Sequence, residues 1–221
     1  MSTTLAAPPA SSVAPVAVPA STPPPVYTPP FGGMACLRKF TVDEYHRMIE
    51  AKILTEEDPV ELLEGYLVLK MPRSLAHDFA IRSLTKELGR IVPDDYTLSS
   101  QCTATFDTSE PEPDFTIARG PYADYRSKHP GPADTAVAIE CSASSLKRDR
   151  GDKAGIYARG GIPIYWVVNV EDRKIEVYSN PSGPSASPEY ALCTEYAVGD
   201  SAPLTLDGKQ VGAIAVVDVM V

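Results

Sequence analysis

Cysteine is scarce in this 221-residue chain: Cys36, Cys102, Cys141 and Cys193 stand far apart, with no CxxC pair and no histidines at zinc-finger spacing. That excludes a disulfide framework and a structural zinc site as organising devices, and suits a reducing, cytoplasmic setting. Long hydrophobic runs are missing too. None approaches the roughly 18–20 residues of a bilayer span, so no membrane partner is expected. Positive charge is in short supply, with Lys+Arg 20 against Asp+Glu 29 and a net charge of −9. This argues against a general basic coat for nucleic acid, though a local basic patch is compatible with it. No Lys or Arg precedes Arg38, so the positive n-region of a secretory signal is lacking and secretion is not expected.

What is abundant is proline, concentrated at the start: Pro8, Pro9, Pro15, Pro19, Pro23, Pro24, Pro25, Pro29 and Pro30. An uncharged, proline-dense stretch cannot bury enough surface to offset its ordering entropy. Residues 1–33 are therefore read as a disordered, polyproline-like tail, and residues 34–221 as one folded domain.

Within that domain Thr41 and Glu44 form a capping-box pattern ahead of a helix running to about Lys52. Val60–Glu64 and Tyr66–Met71, split by Gly65, read as a hairpin. Ser74 caps a second helix with Ile81, Leu84, Leu88 and Ile91 on one face. Strands are expected at Tyr96–Gln101, Thr103–Phe106 and Phe115–Ala118, followed by an excursion loop over 119–134. The apolar run Thr135–Glu140 reads as a buried strand ending in a carboxylate. A third helix is expected at Arg148–Arg159, then strands at Ile164–Val170 and Lys174–Tyr178. The closing apolar run Val211–Val221 suits a sheet edge or a subunit interface.

The chemistry-bearing residues follow from this layout. Asp114 opens one strand and Glu140 closes another, while Asp149, Lys153 and Tyr157 recur every four residues on one helical face. Two acids and a lysine can converge at one edge of the sheet. Hard oxygen ligands for Mg²⁺ or Mn²⁺, with a cation to orient water or offset developing charge, are the requirements of phosphodiester hydrolysis. A carboxylate at the mouth of a buried strand must be paired, hydrogen-bonded or metal-bound, which favours a functional Glu140. On spacing alone, Lys153 reads equally well as half of an exposed ion pair with Asp149.

The strings Glu112–Phe115, Ala138–Leu146, Asp149–Lys153, Tyr157–Pro163 and Tyr165–Asn169, with Phe40–Tyr45, Val60–Gly65 and His77 upstream, together resemble the Uma-two family. These are restriction endonucleases of the PD-(D/E)xK superfamily. The resemblance spans about residues 40–180. It implies an α/β fold, a restriction-endonuclease-like mixed sheet flanked by helices. It also implies an endonuclease that hydrolyses DNA with Mg²⁺ or Mn²⁺ bound by Asp114, Glu140 and the backbone carbonyl of Cys141. Ser142 stands where the superfamily motif has lysine, and Lys153 would supply the ammonium from the helix. Ala143 stands where relatives often have a polar residue.

Further candidates are Glu61 as an extra metal or water contact, His77 as a phosphate or water contact, and Asp149 and Tyr157 beside them. Glu61 reads equally as a solvated hairpin residue, whereas His77 and Tyr157 read first as structural residues. Lys147, Arg148 and Arg150 form a candidate nucleic-acid patch, to which Arg119, Arg126, Lys128 and His129 would add if the excursion loop folded over the site. Cutting both strands of a duplex calls for two sites, hence a homodimer. The competing class is a nuclease-fold protein with little or no activity, acting as a nucleic-acid or protein binding module, which the −9 charge favours. A hydrolase with Cys141 as nucleophile is the third reading; no histidine lies near it in sequence.

Overall fold

The computed structural model describes residues 37–220, and the proposed tail over 1–33 lies outside them. From Arg38 onward the chain forms one unit. It opens with helix α1 (Val42–Glu50), whose Thr41 hydroxyl accepts from the Glu44 amide while the Glu44 carboxylate accepts from that of Thr41. Each thus satisfies an amide that the first helical turn leaves without a partner. The hairpin follows as β1 (Val60–Leu63) and β2 (Tyr66–Leu69), paired antiparallel.

Glu64 and Gly65 turn the hairpin with φ of 51° and 83°. A Cβ on Gly65 would lie 2.8 Å from the Lys39 Cβ and 3.0 Å from the Phe40 carbonyl oxygen. Gly65→Ala should therefore cost at least about 1 kcal/mol, from the left-handed φ and that crowding together. Urea unfolding of the variant against wild type checks this.

Helix α2 (Leu75–Ile91) starts at Ser74, whose hydroxyl accepts from the His77 amide. It buries Ala80, Leu84 and Leu88 against a six-stranded sheet ordered β3 (Tyr96–Ser100), β4 (Phe115–Arg119), β5 (Thr135–Ser142), β6 (Ile164–Asn169), β7 (Lys174–Pro181) and β8 (Tyr190–Ala197). Only β5 and β6 run parallel. The link between them is helical, since a parallel pair cannot be closed by a tight turn. It runs through α3 (Leu146–Arg148), a π-helical turn (Asp149–Lys153) and α4 (Ala154–Arg159).

The sheet separates two apolar clusters. Val137, Ile139 and Cys141 of β5 face α2, whereas Ala138 packs with Tyr157, Ile162, Tyr165 and Val167. Strand alternation then directs Glu140 and Ser142 toward the side that carries α4. Tyr165 donates from its hydroxyl to the Asp149 carbonyl oxygen at 3.0 Å, tying the π turn to the sheet.

Two expectations are corrected and a third is extended. Thr103–Phe106 is not a strand: the amides of Ala104, Thr105 and Phe106 reach the carbonyls of Pro111, Pro130 and Ser109, three separate loop partners with no common ladder. The third helix begins at Leu146 rather than Arg148 and is interrupted by the π turn. The closing apolar run does form an edge strand, in a separate two-stranded sheet, and it also supplies core through Ile214, Val216, Val219 and Met220. It forms β10 (Lys209–Ala215), paired with β9 (Ser201–Leu206), and then α5 (Val216–Val219), whose Val216 and Val219 are buried in the cluster that holds α2.

Candidate active site

The β4–β5 pairing matches Phe115 with Ile139 and Thr116 with Ala138. One further step in that register sets Asp114 opposite Glu140, and residues so placed across an antiparallel pair have Cβ atoms about 5 Å apart. Both strands are interior, so the acids emerge at strand ends rather than along an edge strand. The Cys141 amide donates to Asp114 Oδ2 at 2.8 Å, which fixes that carboxylate against the end of β5.

Lys153 enters from the π turn. Its ammonium lies 3.0 Å from Glu140 Oε1 and 3.1 Å from Glu61 Oε2, and the residue is only 6% exposed. The exposed-pair reading of Lys153 with Asp149 is thereby replaced. Tyr157, one turn on, donates to the same Glu140 Oε1 at 2.7 Å. Both donors take one oxygen, and Oε2 has no hydrogen-bond partner among the described residues.

Glu61 is buried as well, which replaces its reading as a solvated hairpin residue. Its second contact is an accepted bond from the Glu112 amide at 3.3 Å. Asp149 faces Ser142, not Lys153: the Ser142 and Ser145 hydroxyls each donate to its Oδ2 at 2.6 Å. Ser142 thus anchors, through Asp149, the start of the helical link that carries Lys153.

His77 comes from the first turn of α2, with Nε2 3.3 Å from Asp114 Oδ2. The hydrogen bond to Asp114 raises the imidazole pKa above its ordinary value, against the opposing effect of burial. Its Nδ1 is buried and has no hydrogen-bond partner among the described residues, with Asp78 Oδ1 3.7 Å away. All these groups except Tyr157 and Ser142 line one pocket of about 90 Å³, together with Arg73, Arg148, Met71 and Ala143.

The buried charges in this pocket do not balance. Glu61, Asp114, Glu140 and Asp149 are four carboxylates around one ammonium. Burial pushes the Glu140 pKa well up; Lys153 opposes that, while Asp149, Asp114 and Glu61 reinforce it. For Lys153 burial acts downward, but Glu140, Glu61 and Asp149 outweigh it and hold the ammonium protonated well beyond its usual range. Carboxylates crowded in this way favour an added cation.

Among the described residues no three His, Cys, Asp or Glu side chains are gathered as a ready metal cage. Mg²⁺ and Mn²⁺ do not need one, because such ions are held by one or two carboxylates, with water and substrate oxygens completing the shell. The donor set of Asp114, Glu140 and the Cys141 carbonyl fits a hard dication. The Cys141 thiol is a poor nucleophile: burial raises its pKa well above normal, and Asp114, Glu140 and Asp149 raise it further. The cysteine-hydrolase reading is set aside on that ground.

The basic candidates divide. Arg148 lines the pocket and donates to the Leu69 carbonyl at 2.7 Å. Arg150 instead engages Glu176, with Nε donating to Oε2 at 2.9 Å, and Lys147 borders a shallow depression outside the pocket. Arg119 pairs with Asp207 and Lys128 with Asp134, and neither they nor Arg126 and His129 line the pocket. The excursion loop does not supply a basic wall to the site.

Glu176 is buried, which on its own would raise its pKa, but the bonds from Arg150, Tyr178 and Asn169 prevail and hold it below the ordinary value. Its contribution to stability is present above pH 4.5 and is lost as pH falls through the lowered folded value. Glu176→Gln should flatten the fall in melting temperature below about pH 4.5, checked by thermal melts from pH 6 to 3.

Sequence reasoning missed Arg73 and Met71 at the pocket mouth. Neither belongs to a motif, and only the close approach of the β2–α2 connection to the strand ends puts them there.

The six-stranded mixed sheet with helices on its faces and an acid-lined pocket at the strand ends is a nuclease-like α/β architecture. The chain belongs to the Uma2 family, described as "Putative restriction endonuclease", whose model matches residues 42–207. Among solved structures it is similar to a "putative nuclease belonging to DUF820" from Anabaena variabilis ATCC 29413, with a TM-score of 0.59 and 14% identity. That match covers 81% of this chain and 97% of the other. No curated protein matches the sequence.

Proposed function

We propose that this protein is a metal-dependent endonuclease that hydrolyses phosphodiester bonds in DNA, working in the cytoplasm as a homodimer with one site per subunit. The observation that carries the reading is the convergence of Asp114, Glu140 and Lys153 in one pocket, with Lys153 fully engaged by carboxylates. A purely structural lysine gains little from burial among acids, because desolvation consumes most of the Coulombic benefit. Membership of an endonuclease family supports the same class of reaction.

Asp114, Glu140 and the Cys141 carbonyl would hold Mg²⁺ or Mn²⁺. Such an ion, when bound, supplies Lewis acidity to a phosphoryl oxygen and lowers the pKa of water. The chain's own residues do the remainder. Lys153 keeps its proton and presents positive charge where the phosphate becomes more negative in the transition state. Tyr157 and Lys153 clamp one oxygen of Glu140, which fixes the other for ligation. Asp114 is held by the Cys141 amide, and His77 braces it from α2. Asp149, bonded by Ser142 and Ser145, keeps the start of the helical link in place.

The test is cleavage of labelled single-stranded and duplex DNA by purified protein in Mg²⁺, Mn²⁺ or EDTA. Products in either metal and none in EDTA are expected, and the absence of metal-dependent products on every substrate would overturn the reading. The binding-module alternative has one observation in its favour, the −9 net charge, and would take its place.

A further inference from the structure

The mouth of the pocket holds a cation that the catalytic reading does not use. Arg73 lines the pocket beside Glu61, Glu112, Asp114, Glu140 and Asp149, and among the described residues it makes no ion pair with any of them. Its partner is the neutral amide of Gln101, another lining residue. With that amide turned so that its oxygen faces Arg73, Nη2 and Nη1 donate to it at 2.8 and 3.1 Å. A neutral acceptor holds the guanidinium in place and leaves its charge intact.

Both ends of this pair are fixed by the fold. Arg73 lies between Pro72 and Ser74, the residue that caps α2, so its backbone is held where the helix begins. Gln101 follows β3 directly with φ of 54°, and its backbone amide donates to the Asp114 carbonyl oxygen at 3.0 Å. A left-handed backbone at a residue other than glycine persists only where its surroundings impose it. The side-chain amide is thereby set at the strand end that carries Asp114.

The bonding to Gln101 also decides which edge of Arg73 is free. One oxygen takes an N–H from each terminal nitrogen, which leaves Nε–H and the outer N–H of Nη2 side by side. That edge matches two oxygens of one phosphate. Arg150 uses the same edge on the two oxygens of Glu176. Arg148 lines the pocket too, but a single bond to the Leu69 carbonyl leaves its plane free to turn about that contact. Lys147 and Arg82 form no ion pair among the described residues either, but neither lines the pocket.

We propose that Arg73 is a substrate-binding residue of this site, gripping the phosphodiester to be cut through its free edge, with Gln101 as its positioning residue. This rests on the nuclease reading above for the reaction, but not for the phosphate contact. A phosphodiester is an anion, and the buried carboxylates repel it as it approaches them. An uncompensated guanidinium at the mouth offsets that repulsion. Its bonds strengthen as charge grows on the phosphoryl oxygens in the transition state. A lysine in its place would supply the charge without the fork.

The experiment joins cleavage kinetics in Mg²⁺ or Mn²⁺ to fluorescence anisotropy of a labelled duplex in EDTA, where nothing is cut, both on full-length protein. Arg73→Ala should lower kcat/KM about 100-fold. Millimolar methylguanidinium should restore part of that loss and methylammonium should not, and Arg73→Lys should recover little. In EDTA, Arg73→Ala should reduce the slope of log K against log salt by about 0.9, the value for one phosphate contact on a duplex. Gln101→Ala should lower kcat/KM on its own and have no further effect in the Arg73→Ala background, because it acts only through the guanidinium. An Arg73→Ala variant with the wild-type salt slope or the wild-type cleavage rate would overturn the proposal. So would a Gln101→Ala effect that persists undiminished without Arg73. If the slope falls as expected while wild type cuts nothing in any metal, the nuclease reading fails and the phosphate contact stands. If wild type binds no DNA, both fail.

Discussion

Asp114→Ala and Glu140→Ala are each expected to lose metal-dependent cleavage by a factor of about 10³ or more while keeping the fold. The fold should survive because neither acid is a keystone of packing. Among the described residues the Asp114 carboxylate bonds only the Cys141 amide and the His77 ring, and removal of Glu140 leaves Lys153 its second carboxylate, Glu61, so no buried charge is stranded. The activity should not survive, because each deletion leaves the proposed cation with one carboxylate. Circular dichroism and urea midpoints report the fold, and initial rates on a labelled strand report the chemistry. Loss of both together would mean that the acids are structural.

The second large effect is on stability. Lys153→Met leaves Glu61 and Glu140 buried without their shared cation, a situation that typically costs about 3–5 kcal/mol. The double variant Lys153→Met with Glu140→Gln should recover much of that loss, because it removes one of the stranded charges. The pH dependence has a definite sign. Burial raises the pKa of Glu140, so in the Lys153→Met background the folded state takes up a proton more readily than the unfolded chain, and the deficit shrinks as pH falls. Chemical denaturation at pH 8 and pH 5.5 measures it. A Lys153→Met protein as stable as wild type at pH 8 would show that the ammonium is not compensating those carboxylates.

The parts of this site visible in the sequence are those that local pattern controls. Thr41 and Glu44, Ser74 and the Glu64-Gly65 turn act over three or four residues, and their geometry follows from the side chains present. Glu140 was legible for a different reason: an apolar run that ends in an acid leaves few destinations for the charge. Asp114 and Lys153 became candidates by family pattern more than by physics.

What stayed hidden depends on long-range contacts. Glu61 reads as a hairpin acid until the hairpin is seen folded against the helical link, where Lys153 meets it. The fourfold spacing of Asp149, Lys153 and Tyr157 suggested one common face. The π turn changes the register between them, so Asp149 serves Ser142 and Ser145 while Lys153 and Tyr157 serve Glu140. Thr103–Phe106 has strand composition, but its amides find loop carbonyls first. The run after Val211 suited a sheet edge or an interface, and β10 is an edge strand; the packing of Ile214, Val216, Val219 and Met220 in the cluster that holds α2, more than a hundred residues away, is what local pattern does not show.

Anomalous diffraction from crystals soaked in Mn²⁺ tests most directly the claim that Asp114 and Glu140 share one catalytic cation. A single strong peak is expected in the pocket, with both carboxylates and the Cys141 carbonyl oxygen as its protein ligands and Lys153 beside it. An empty pocket at Mn²⁺ concentrations that support cleavage, or a peak on other residues, would contradict it.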